Sequence, residues 1–175
     1  MYVNSKKMKK ITKTLRTLTL AGALMLSAGA FTQCSSYTPT EKDLPIETLT
    51  ELQVAFPNAA YVEMTETSHY IVKDAKGKTI GSVQLSSPYS DDIKGFNGPT
   101  PLQIAFDKKG RILEVRVLDN FETPNFLKRV TEAGYLESWN GLTAEEALNK
   151  EVDAVTGATF SSRGIQQSLK AALKH

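Results

Sequence analysis

"LQIAFDKKGRILEVRVL", Leu102 to Leu118, decides how this chain folds. β-formers flank Asp107-Lys108-Lys109-Gly110-Arg111, with Ile112, Val115 and Val117 set against Arg111, Glu114 and Arg116. Alternation of this kind marks a half-buried strand. Gly110 supplies the positive φ of a tight reversal. A second stretch, "HYIVKDAKGKTIGSVQL" (His69 to Leu85), repeats the pattern with Gly77 at the turn. The echo is an old duplication or two uses of one hairpin chemistry. Either way, two hairpins predict an antiparallel sheet.

Helical patterns surround the hairpins. "IETLTELQVAF" places Ile46, Leu49, Leu52 and Phe56 at helical spacing and stops at Pro57. After the second hairpin, "NFETPNFLKRVTEAGYLESW" turns at Thr123-Pro124 and continues into a short helix. "TAEEALNK" follows, with Thr143 and Glu146 spaced as a capping box. "EVDAV" (Glu151 to Val155) reads as a further strand. "SSRGIQQSLKAALKH" closes the chain with Ile165, Leu169, Ala172 and Leu173 on one face. The predicted fold class is α+β: an antiparallel β-sheet built from two hairpins with flanking helices and a C-terminal amphipathic helix. "SSPYSDDIKGFNGPTP" (Ser86 to Pro101) joins the hairpins, and long loops in compact domains are often functional.

At 175 residues the chain suits one compact domain, and 41% hydrophobic with 23% charged residues is a globular composition. The net charge of +2 and the lack of a basic stripe argue against a nucleic-acid partner. Much of the positive charge lies in Lys6, Lys7, Lys9, Lys10, Lys13 and Arg16, ahead of the apolar run Thr17 to Phe31. That run is short for a membrane span, which takes about 20 residues, and reads as an export signal. Ala28-Gly29-Ala30 suits ordinary cleavage, whereas Cys34 followed by Ser35 and Ser36 resembles a bacterial lipoprotein signal; an uncleaved anchor is the third reading. The preferred division is a lipoprotein-like signal peptide over 1–34 with lipidation at Cys34, a tether over 35–45 and a domain over 46–175.

Cys34 is the only cysteine, and His69 and His175 are the only histidines. With Cys34 committed to the N-terminus no thiol remains for a disulfide, an iron–sulfur cluster or a nucleophile; haem, zinc and Cys–His catalysis are disfavoured, and His69 reads as a packed or half-exposed residue rather than a ligand. Asp91-Asp92 reads as a solvated loop face rather than a metal site.

Hydroxyls carry the remaining chemistry. "DAVTGATFSS" (Asp153 to Ser162) holds Thr156, Thr159, Ser161 and Ser162 around Gly157 and Ala158, at the start of the last helix. Helix N-termini offer unpaired N–H groups and the positive dipole end to a phosphate. The bland alternative is that Thr159 or Ser161 caps the helix, for about 1 kcal/mol.

The spelling Asp153-Ala154-Val155-Thr156-Gly157-Ala158-Thr159 resembles the attachment motif of the FMN-binding domain family. That family includes flavinylated subunits of the sodium-pumping NADH:quinone reductase and of the Rnf electron-transport complex. Gly95-Phe96-Asn97-Gly98-Pro99 is similar to the family's Gly-aromatic-x-Gly-Pro loop, and Glu122-Thr123-Pro124 to its Glu-Thr-Pro turn. That turn usually continues with Gly and Leu, where Asn125 and Phe126 stand here.

The resemblance implies covalent FMN on Thr159 through a phosphoester, installed by a flavin transferase that uses FAD and Mg²⁺ and releases AMP. It implies a flavin ring lying against the Gly95–Pro99 loop and the Thr123-Pro124 turn. Phe96 and Phe121 are candidate packing partners, core packing being the rival use of Phe121. Asp153 would orient the hydroxyl, approach the metal during transfer or brace the loop. The cofactor-binding set is therefore Thr159, Thr156, Gly157, Ala158, Asp153, Ser161, Ser162, Gly95, Phe96, Gly98, Pro99, Glu122, Thr123 and Pro124.

The expected function is an exported electron carrier, lipid-anchored on the periplasmic or extracellular side of a membrane. Its redox partner would be a membrane electron-transport complex or a reductase. The rival readings are an exported binding module without flavin, and the flavin domain of an extracellular reductase.

Overall fold

The computed structural model describes residues 37–45 and 52–175. The predicted signal peptide, Cys34, the start of the tether and the first half of the helix expected over 46–56 lie outside the described residues. At the end of that segment the Phe56 N–H reaches the Leu52 carbonyl at 3.0 Å.

The sheet runs in chain order as an antiparallel meander: β1 (Asp43–Pro45), β2 (Ala59–Glu66), β3 (His69–Asp74), β4 (Thr79–Leu85), β5 (Leu102–Asp107) and β6 (Ile112–Val117). Both predicted hairpins are present, as β3–β4 and β5–β6. Their turns match atom for atom. Asp74 Oδ1 accepts from the N–H groups of Lys76 and Lys78 at 2.8 and 2.9 Å, and Asp107 Oδ1 from those of Lys109 and Arg111 at 2.7 and 2.9 Å. Gly77 and Gly110 both have φ +73°. These backbone hydrogen bonds, that of Lys78 and that of Arg111 foremost, hold the pKa of each aspartate below its ordinary value.

Two strands precede the hairpins. β2 turns into β3 through Ser68, a non-glycine residue at φ 67°, and so lacks the glycine that marks a hairpin in sequence. β1 lies within the stretch read as a tether: Asp43 pairs with Glu63, and Pro45 with Tyr61, on the sheet's outer edge. A buried polar group fixes it. Asp43 accepts from Tyr37 Oη at 2.7 Å, from the Thr40 N–H at 2.8 Å and from Lys73 Nζ at 2.8 Å, and Lys73 also pairs with Glu63 at 2.7 Å. Burial alone would raise the Asp43 pKa; the bonds from Lys73, Tyr37 and Thr40 outweigh it and hold the carboxyl well below its usual range. Hydrogen bonds to Asp43 and Glu63 correspondingly raise Lys73.

Beyond β6 come α1 (Pro124–Glu132), a 3₁₀ turn (Leu136–Trp139), α2 (Ala144–Asn149) and α3 (Thr159–Ala172). The capping box forms: the Thr143 N–H donates to Glu146 Oε2 at 2.8 Å and the Glu146 N–H to Thr143 Oγ1 at 3.3 Å. No strand forms over Glu151–Val155. That segment instead leads into a turn where the Ala158 N–H meets the Val155 carbonyl at 2.9 Å with Gly157 at φ +78°.

The helices cover one sheet face. Leu102, Ile104 and Phe106 of β5 and Ile112 and Val115 of β6 pack with Val130, Trp139, Ile165 and Leu169. Val62, Val72, Val83 and Ala105 form the opposite face with Leu52 and Phe56. Each fully buried branched side chain contributes about 1.5–3 kcal/mol. This double-sided burial fixes β5 and thereby the ends of the loop before it.

Candidate functional site

The Ser86–Pro101 loop is stapled at its base. The Ser86 N–H donates to the Leu102 carbonyl, and Ser86 Oγ accepts from the Leu102 N–H, both at 2.8 Å. Ser90 Oγ donates to Ser86 Oγ at 2.7 Å, so both hydroxyls are satisfied out of water. At the far end the Gly95 N–H donates to the Gly98 carbonyl at 2.9 Å and closes a small turn.

Glu122 holds that turn. Its buried carboxylate accepts from the N–H groups of Phe96 at 2.9 Å, Asn97 at 3.1 Å and Thr123 at 3.1 Å. Asn97 Nδ2 donates to the Phe121 carbonyl at 2.7 Å. The glycine loop and the Glu-Thr-Pro turn are thus one hydrogen-bonded unit. Glycine is required at position 95 because a Cβ there would run into the Glu122 carboxylate.

This unit packs on the first turns of α3. A Cβ at Gly164 would fall 2.8 Å from Gly95 Cα, so the two backbones touch. Ser162 Oγ accepts from the Val155 N–H at 3.1 Å and donates to the Ala158 carbonyl at 3.0 Å, tying the attachment turn to the helix. Tyr135 Oη donates to the Ser162 carbonyl at 3.0 Å. Burial, and secondarily the Glu151 charge, push its pKa up to about 12, so it keeps its proton at neutral pH.

The structure rejects the capping alternative. The N-cap of α3 is Ala158, with no side-chain hydrogen bond, and Thr159 is already the first helical residue. Among the described residues nothing bonds the Thr159 hydroxyl, and Ser161 Oγ is buried with no partner. Both residues line a cleft of about 220 Å³ with Gly157, Ala158 and three phenylalanines, Phe96, Phe126 and Phe160. Phe96 meets Phe126 edge-on at 4.8 Å and Phe160 at 6.4 Å. Phe96 and Phe160 remain 58% and 63% exposed, a large apolar surface to leave in water.

Of the sequence-predicted residues, Phe96, Gly157, Ala158, Thr159 and Ser161 line this one cleft, and others lie apart from it. Gly98 is buried behind the loop, where its added Cβ would lie 3.6 Å from that of Phe121, and Pro99 is half-buried. Phe121 is 73% exposed, so the core alternative for it fails. Glu122 and Pro124 line a separate groove of about 450 Å³ with Arg116–Asn120 and Leu127; the turn bears on the Thr159 cleft through Phe96, whose N–H Glu122 holds, and through Phe126, which follows it. Thr123 is the N-cap of α1 without a side-chain bond. Thr156 and Asp153 are exposed. Asp153 accepts no N–H from the described backbone; Ser162 braces the loop in its place.

Three contributors escaped sequence reading. Phe126 and Phe160 carry no signal beyond being aromatic. Gly164 carried one: a glycine inside a helix costs about 1 kcal/mol relative to alanine and so points to close packing.

An uncapped helix N-terminus, an orphan buried hydroxyl, a glycine turn and an aromatic-walled cleft lie together here, features able to receive a phosphate and a flat ring. Residues 95–174 match the model of the FMN-binding domain. The chain is also 27% identical over 147 residues to the G subunit of the ion-translocating oxidoreductase complex of Stutzerimonas stutzeri, covering 72% of this chain and 63% of that protein. It thus spans less than two thirds of that relative's length.

Proposed function

We propose that the chain is an electron carrier holding FMN covalently on Thr159, exported and anchored to a membrane surface through Cys34. The observation that carries this reading is the Thr159 hydroxyl: unbonded, at the head of an uncapped helix, opening on the phenylalanine cleft. FMN, when bound, supplies one- and two-electron redox chemistry. The chain's own residues position it. Gly157 and Ala158 let its phosphate approach the backbone, and Phe96, Phe126 and Phe160 offer faces and edges for the ring. The unit built on Glu122 keeps Phe96 in place.

A threonine hydroxyl does not attack FAD unaided. A flavin transferase with Mg²⁺ would form the bond from Thr159 Oγ1 to the FMN phosphorus while the FAD pyrophosphate bond breaks. AMP leaves and the hydroxyl proton is lost. Exposure of Thr156 and Gly157 lets another enzyme reach the turn. Asp153, exposed beside it, is free to orient the hydroxyl or approach the metal.

The relative's name supports an ion-translocating oxidoreductase complex as redox partner. Among the described residues no helix is long and apolar enough to cross a membrane, and the anchoring role is assigned to the N-terminal segment. Co-expression with a flavin transferase followed by peptide mass analysis tests the reading. One FMN on the peptide holding Thr159, absent from Thr159→Ala, is the expected result; flavin fluorescence persisting on the denatured variant overturns it.

A further inference from the structure

We propose that Arg129 and Ser161 complete a phosphate site at the head of α3, with Arg129 as its cationic clamp. The ligand is the phosphodiester monoanion that ties the flavin to Thr159, so the inference rests on the reading above.

Three independent observations converge. The N-cap of α3 gives the helix no side-chain acceptor, leaving the first-turn N–H groups of Thr159, Phe160 and Ser161 open to an anion. Ser161 Oγ is wholly buried, lacks a partner and lines the cleft that Thr159 opens on. A buried hydroxyl without a partner is costly and marks a place where a ligand completes the bonding. Arg129, from α1, lays its guanidinium over the Gly157 backbone, where an added Cβ would fall 2.5 Å from Nη1 and 3.6 Å from Cζ. The φ of +78° holds position 157 to glycine, and the guanidinium lies over its bare Cα.

Arg129 has no ion-pair partner among the described residues. A role in complementing the α1 dipole would be served equally by a side chain extended into water. Neither Glu122, whose carboxylate takes three backbone N–H groups, nor Asp153 pairs with it. A guanidinium matches the paired oxygens of a phosphodiester better than an ammonium does.

Two measurements test the assignment. In the unflavinylated chain, inorganic phosphate should shift the amide resonances of Thr159, Phe160 and Ser161 saturably. Arg129→Gln should weaken that binding at least about tenfold and Ser161→Ala a few-fold, while Arg129→Lys retains part of it. In the flavinylated chain, Arg129→Gln should move the ³¹P resonance of the linkage. The clamp is overturned if neither phosphate affinity nor the ³¹P signal responds to Arg129→Gln. It is also overturned if the flavin potential changes while ³¹P stays put, which assigns the guanidinium to the ring. Failure of the unmutated chain to load FMN would sink the flavin reading alone, since the phosphate titration needs no flavin.

Discussion

Gly164 of α3 and Gly95 of the loop touch backbone to backbone: a Cβ on Gly164 would fall 2.8 Å from Gly95 Cα and 2.9 Å from its nitrogen. Alanine at position 164 would add helix propensity worth about 1 kcal/mol, yet it must push a backbone away. We expect Gly164→Ala to destabilise by about 1–2 kcal/mol net, measured by urea unfolding. It should also shift the Phe96 ring resonances. Unchanged stability would mean the loop yields freely.

Glu122 gives a second prediction. Its carboxylate accepts three N–H groups at 2.9–3.1 Å, and Glu122→Gln leaves one acceptor oxygen and brings an NH₂ toward backbone donors. The cost should be about 2 kcal/mol. Faster hydrogen exchange at Phe96 and Asn97, with β5 protection intact, would locate the loss in the loop.

Phe160, 63% exposed, adds little to the fold. Phe160→Ala should alter stability by less than about 0.5 kcal/mol. In the flavinylated protein it should raise iodide quenching of flavin fluorescence, because one wall of the cleft is gone. Equal quenching in both proteins would place the ring elsewhere.

Acid stability depends on Asp43. A carboxyl whose folded pKa is lowered stabilises the fold above its ordinary value, about 4, and loses that contribution as pH falls toward the folded value. Lys73 is raised, so its share is present below about 10.4 and is lost as pH climbs toward its folded value. Asp43→Asn should flatten the decline of the melting temperature below about pH 4. Lys73→Met should cost about 3 kcal/mol at neutral pH, since it strands a buried carboxylate.

What was legible depended on local chemistry. The hairpins announced themselves because Asp74 and Asp107 build their turns within five residues, and the capping box because Thr143 and Glu146 need only each other. β2 was silent because Ser68 adopts positive φ without a glycine, and β1 because its three residues are strand only by pairing with β2 and by the bond of Asp43 to distant Lys73. The expected strand over Glu151–Val155 failed because that segment leads into the attachment turn. Phe96, Gly157, Ala158, Thr159 and Ser161, from two of the three motifs, line one cleft, whereas Glu122 and Pro124 line another groove. Arg129 and Gly164 joined them through tertiary packing that no spacing encodes.

Tyr37 and Asp43 fasten the first described residues to the rim of the sheet. Force applied through the chain ahead of Tyr37 would therefore reach the Lys73 cluster on β3 before it reached the β5–β6 hairpin. A domain moored by its front end would be tugged at this rivet, at the opposite end of the meander from β6, and the cleft at the head of α3 would be spared the strain.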